Sequence, residues 1–146
     1  MRNFLFFLFL IFVLSCNSTM RTIVHTPNAP APIGPYSQAV LVDHTLYVSG
    51  QIAIDPSTGN LVEGSIEAET EQVMKNIGKI LEAAGYGYED VIKSTCLLSD
   101  MAHFSEMNEV YGKYYPENSP ARAAYGVVKL PLGVLIEIET IAAKQG

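Results

Sequence analysis

The segment from Ser65 to Gly85 is the strongest constraint on how this chain can fold. Val73, Ile77, Ile80 and Ala84 follow one another at spacings of 4, 3 and 4, which gather them into a single apolar stripe on a helix. Ser65 suits the N-cap, Glu67, Glu69 and Glu71 lie near the positive end of the helix, and Lys75 and Lys79 follow further along. Gly85 suits the left-handed position that ends such a helix. A second helix is expected from Asp100, with Phe104, Met107, Tyr111 and Tyr114 at spacings of 3, 4 and 3 until Pro116 stops it. Strands are expected over Thr22 to Thr26, Ser37 to Asp43, Leu46 to Ser49, Val91 to Leu98, Arg122 to Lys129 and Val134 to Ala143. Pro27, Pro30, Pro32 and Pro35 break the chain between the first two strands. Asp55-Pro56-Ser57-Thr58-Gly59-Asn60 is a dense turn cluster between Ile54 and Leu61. Two helices and about six strands, not regularly interleaved, make an α+β fold: a mostly antiparallel sheet with both helices on one face.

The uncovered face of that sheet bears on function. In the last strand Ile136, Ile138 and Ala142 share one side, while Leu135, Glu137, Glu139 and Ile141 share the other, because side chains alternate. Leu130-Pro131-Leu132-Gly133 reads as the turn of a final hairpin, so Ala124, Gly126 and Val128 lie on the side of Arg122, and Arg122 and Glu137 stand on neighbouring strands. The uncovered face is too apolar for water, and an oligomer is expected to cover it. A planar guanidinium binds a carboxylate bidentately, so Arg122 is suited to an acid ligand, and Glu137 to orienting or deprotonating water. The competing reading of the same pair is a structural ion bridge across two strands.

At 146 residues the chain has the size of one domain, and nine Lys plus Arg against fifteen Asp plus Glu give a formal charge of -6. No basic patch offsets that charge, which argues against nucleic acid as partner. His25, His44 and His103 lack metal-ligand spacing, so no metal is expected. Cys96 reads as a buried strand thiol. Residues 1–19 stand apart. Met1-Arg2-Asn3 precedes an apolar run from Phe4 to Leu14, long enough for a signal-peptide core and too short to span a bilayer. Val13-Leu14-Ser15-Cys16 resembles the bacterial lipobox, with lipid attached to Cys16 after cleavage before it. The expectation is a lipoprotein-type signal and linker over 1–19, a domain over 20–146 and a location in the cell envelope held by a lipid anchor. The alternative is a cytoplasmic protein translated from Met20, since Met20-Arg21-Thr22-Ile23-Val24 is itself a plausible start.

Ile33-Gly34-Pro35-Tyr36-Ser37-Gln38-Ala39, Tyr47-Val48-Ser49-Gly50-Gln51, Glu82-Ala83-Ala84-Gly85, Pro120-Ala121-Arg122 and Ile136-Glu137-Ile138-Glu139 together resemble successive signatures of the RidA (YjgF/UK114) family of reactive-intermediate deaminases, in order and separation. The likeness covers residues 22 to 143. It implies a chorismate-mutase-like α+β fold, a homotrimer with sites at the subunit interfaces, no metal or organic cofactor, and hydrolysis of small 2-imino or enamine acids such as 2-iminobutanoate and 2-iminopropanoate to 2-keto acids and ammonia. By the same resemblance Arg122 clamps the substrate carboxylate and Glu137 positions the attacking water. Tyr36, Ser49 and Asn108 line the pocket, the Gly50 backbone is available for hydrogen bonding, and Ala124 occupies a position that is often cysteine. The alternative within the same fold is a non-catalytic module that binds small molecules or acts as a chaperone.

Overall fold

The computed structural model describes residues 20–145. Eight main elements follow in the order β1 (Arg21–Val24), β2 (Ala39–Val42), β3 (Thr45–Gln51), α1 (Ile66–Ala83), β4 (Val91–Leu98), α2 (Phe104–Tyr111), β5 (Ala121–Gly126) and β6 (Ile136–Ala143). The strands form one sheet in the order β1-β2-β3-β6-β4-β5. Every neighbouring pair is antiparallel except β4 and β5, which run parallel. The α+β class and its mostly antiparallel six-stranded sheet therefore stand as read from sequence.

Local chemistry sets the element ends. The Ser65 side chain accepts from the Ala68 backbone N–H at the start of α1, and Gly85 closes the helix at a φ of +77°. Asp100 accepts from Ala102 N and opens a short 3-10 turn, Met101–His103, from which α2 continues. A two-residue hairpin, with Asp43 at a φ of 51°, joins β2 to β3. Asp55 accepts from Ser57 N and Gly59 takes a positive φ in the next turn, which closes on an Ile54–Leu61 bridge.

Both helices lie on one face. Val73, Met74, Ile77, Ile80 and Leu81 of α1 are fully buried against Leu46, Cys96, Leu98, Ile136 and Ile138 of the sheet. Burying each large side chain contributes about 1.5–3 kcal/mol, so this layer supplies most of what holds the fold together. On β6 the residues Ile136, Ile138, Thr140 and Ala142 are buried, while Glu137, Glu139 and Ile141 turn to the other face, in the expected alternation. That outer face carries Ile23, Tyr47 and Tyr125, each about half exposed, with no element of the described chain over it.

The expected final hairpin is not formed. β4 lies between β5 and β6, with Ser94 opposite both Arg122 and Thr140, and Leu97 opposite both Tyr125 and Glu137. α2 is the reason: a parallel pair needs a long crossover, and the segment between β4 and β5 provides one. The return to β6 then passes over the end of β4, where Val127 N donates to Leu98 O and Ser99 N donates to Leu135 O. Leu132 and Gly133, at φ of 55° and 77°, make the turn on the far side. A second consequence concerns orientation. Arg122 and Ala124 are in register with buried Ser94 and Cys96, so they face the helices and not the uncovered face as expected.

Candidate active site

The end of β3 and the start of β6 form one cleft. The ladder between them is irregular from Val48 to Gln51, and there the Glu137 side chain folds directly over Gly50. A Cβ at position 50 would overlap the Glu137 Oε1 atom, so only glycine admits this seating. Burial, followed by the like charge of Glu139, raises the proton affinity of the Glu137 carboxylate above its ordinary value. The cleft is also lined by Ile33, Tyr36, Gln38 and Pro131. The Tyr36 hydroxyl accepts from Ile33 N at 3.2 Å, which leaves the ring half exposed at the rim.

Three buried polar side chains hold the cleft walls, and none was singled out from sequence for that role. Gln38 accepts from Thr26 N at 2.7 Å and donates from Nε2 to the carbonyls of Thr26, Ala29 and Pro30, pinning the proline loop. Asn76 of α1 donates to Ile52 O at 3.1 Å and Ile54 O at 2.9 Å. Glu69, also on α1, accepts from Leu135 N at 2.8 Å just before β6. A signal for two of them existed: Glu69, Val73, Asn76 and Ile80 fall at spacings of 4, 3 and 4, so polar residues occupy apolar-stripe positions. Buried polar groups at such positions must find backbone partners.

A second cluster lies on β5 and α2. The Arg122 Cζ sits 4.7 Å from the Tyr111 ring centroid and 5.7 Å from that of Phe104, with Nη1 4.0 Å from Met107 Sδ. Among the described residues no carboxylate pairs with Arg122. Asn108, on the same helix, has a buried Oδ1 without a partner. Ala124 is opposite Cys96, whose thiol burial pushes up to about 11.

The predicted site residues thus form two groups. Tyr36, Gly50 and Glu137 share the cleft, whereas Arg122, Asn108 and Ala124 are gathered on the helix side of the sheet's far edge. Ser49 lies beside the first group, on the outer face, where its Oγ donates to Ser37 O at 2.7 Å. Three residues of rise and two interstrand spacings separate the backbones of Arg122 and Glu137 by about 14 Å. Their side chains project from opposite faces. They do not share a cleft within one chain, and they are not an ion pair either.

Residues 26–144 match the family model described as Endoribonuclease L-PSP. A RutC family protein of Pyrococcus horikoshii is 55% identical over 126 residues, 86% of this chain and 100% of that protein. The human 2-iminobutanoate/2-iminopropanoate deaminase is 52% identical over 126 residues, 86% of this chain and 92% of the human protein. Among solved structures, a putative endoribonuclease of Thermotoga maritima is similar with a TM-score of 0.85 at 50% identity, covering 87% of this chain and all of that one. The E. coli TdcF protein, solved with bound serine, gives 0.82 at 34% identity over 85% of this chain and 99% of its own.

These relatives overturn the expected lipoprotein signal, lipid anchor and envelope location. The Pyrococcus protein is matched over its whole length by 126 residues, with nothing left to correspond to an export segment. Cys16 and the rest of 1–19 lie outside the described residues.

Proposed function

Because the chain belongs to the RidA family, the one described as Endoribonuclease L-PSP, we propose that it is a deaminase that hydrolyses 2-imino acids to 2-keto acids and ammonia. The observation that carries the reading is Arg122: a half-buried guanidinium whose donors no carboxylate of the described chain occupies. A small acid supplies the missing partner, in the bidentate geometry that guanidinium favours.

The other half of the chemistry belongs to Glu137. Its raised proton affinity and its seat over the Gly50 backbone suit a base that takes a proton from water. The water oxygen bonds the C2 carbon of the C=N group, its proton passes through Glu137 to nitrogen, and a carbinolamine forms. The hydroxyl proton then follows the same route, the C–N bond breaks, and ammonia leaves with C2 as a ketone. Tyr36, Ser49, Asn108 and Ala124 line the bound acid in this reading. Imines hydrolyse in water unaided, so holding the acid against one activated water is sufficient catalysis.

Two half-sites that cannot meet in one chain can meet between copies. We therefore assign Arg122 of one copy and Glu137 of its neighbour to each site of a homotrimer, whose closed symmetry makes three equivalent sites. The uncovered sheet face, with Ile23, Tyr47 and Tyr125 exposed, supports such an assembly. The endoribonuclease wording of the family model finds no support in a chain of net charge -6.

The test couples a lyase or oxidase that generates imines to ammonia detection. Arg122→Ala and Glu137→Ala are each expected to abolish release while leaving an intact oligomer by light scattering. Full activity in either variant overturns the mechanism. Refolding the two variants together at equal ratio is expected to restore about one quarter of wild-type activity, since that share of neighbour-built sites carries both groups. No restoration would place both groups in one chain. Binding of keto acids without ammonia release would favour the non-catalytic module.

A further inference from the structure

We infer that Phe104 and Tyr111 of α2 are specificity-determining positioning residues, whose ring faces hold the Arg122 guanidinium so that its charge is left for a substrate carboxylate. The inference rests on the reading that Arg122 takes that carboxylate.

A guanidinium drawn partly out of water ordinarily needs anionic or carbonyl partners, and those partners would consume the donors that a ligand must use. The surroundings of Arg122 solve this differently. Tyr111 is 5% exposed, and its ring lies 4.7 Å from Arg122 Cζ; Phe104 lies 5.7 Å away, and Nη1 donates only to the Met107 thioether Sδ, a weak acceptor, at 4.0 Å. Aromatic faces attract the cation through their quadrupoles and make no demand on the in-plane N–H groups. Phe104, Met107 and Tyr111 recur at 3 and 4 residues, so one helical face presents the whole cradle. The two ionisable groups beside it stay uncharged: burial raises both the Tyr111 phenol and the Cys96 thiol, so neither supplies an anion that competes with the ligand. The Tyr111 hydroxyl lies near Ser94 and Tyr115 without a well-formed hydrogen bond. The ring, and not the hydroxyl, is therefore the working part.

Sequence position alone suggests only a core role for these residues, because their spacing is that of any buried helix stripe. The cradle adds selectivity. Without it the long arginine side chain samples other rotamers, and the affinity for a carboxylate falls, while the water held by Glu137 is untouched.

The experiment compares wild type with Tyr111→Leu, Phe104→Leu and Tyr111→Phe in two measurements. Calorimetry measures binding of 2-oxobutanoate and of its neutral amide, 2-oxobutanamide; the coupled assay gives KM and kcat. In both leucine variants the acid is expected to bind more weakly on the order of 10-fold, the size of one partly desolvated cation–π contact. KM should rise in parallel with kcat changing little, amide binding should be unaffected, and Tyr111→Phe should behave as wild type. Wild-type acid affinity in the leucine variants, equal losses for acid and amide, or a Tyr111→Phe variant as weak as Tyr111→Leu would each overturn the inference. So would a wild type that binds neither compound. If Tyr111→Leu does not assemble, Phe104→Leu carries the same comparison. Absence of ammonia release from wild type would sink the deaminase reading, whereas the acid-versus-amide contrast judges the cradle without turnover.

Discussion

Replacing Gly50 by alanine should cost activity without costing the fold. Gly50 is not among the glycines at positive φ, so its backbone accepts alanine. The added Cβ would overlap Glu137 Oε1 and stand 2.8 Å from Cδ and 3.1 Å from Cγ, all inside ordinary contact. Restoring contact distance moves the carboxylate by more than about 1 Å, and a displacement of that size in a positioned group costs about 10²-fold in rate. That factor corresponds to roughly 2.7 kcal/mol of activation free energy. In the coupled ammonia assay kcat of Gly50→Ala is therefore expected to fall about 100-fold, with thermal unfolding close to wild type because only a side chain at the cleft has to give way. A folded Gly50→Ala oligomer with wild-type kcat would refute the argument.

Two further outcomes are expected. Activity needs Glu137 deprotonated, and burial together with Glu139 raises its pKa, so the acidic limb of the kcat/KM profile should lie above that of an ordinary glutamate. Glu139→Gln removes the like charge and should move that limb to lower pH; an unmoved or upward limb would exclude Glu137 as the titrating base. Asn76→Ala strips the Asn76 donors from the buried carbonyls of Ile52 and Ile54 and should lower stability by about 1–3 kcal/mol in urea unfolding. An unchanged midpoint would mean that water replaces Asn76 there.

The helical faces, the caps at Ser65 and Asp100, the turn at Gly85 and the alternation of Ile136, Glu137, Ile138 and Glu139 were all legible in the sequence. Each depends on residues a few positions apart, where the 3.6 and 2.0 periods of the backbone act. The five RidA signatures likewise marked the family, which fold and relatives both bear out. The buried clamps Glu69 and Asn76 were half visible, as polar residues in stripe positions, but their targets at Leu135, Ile52 and Ile54 are distant in sequence.

The strand order was decided only in three dimensions. Alternation shows which residues of one strand share a side, but ladder hydrogen bonds come from the backbone that every residue has, so sequence does not name the neighbour. The α2 crossover laid β5 parallel to β4, and β4 thereby came between Arg122 and Glu137. Register then fixed the face, since a shift of one residue would turn Arg122 to the other side. A short hairpin would have set the two groups side by side. The crossover instead put the guanidinium among the rings of α2 and left the carboxylate at Gly50, on the other face of the sheet.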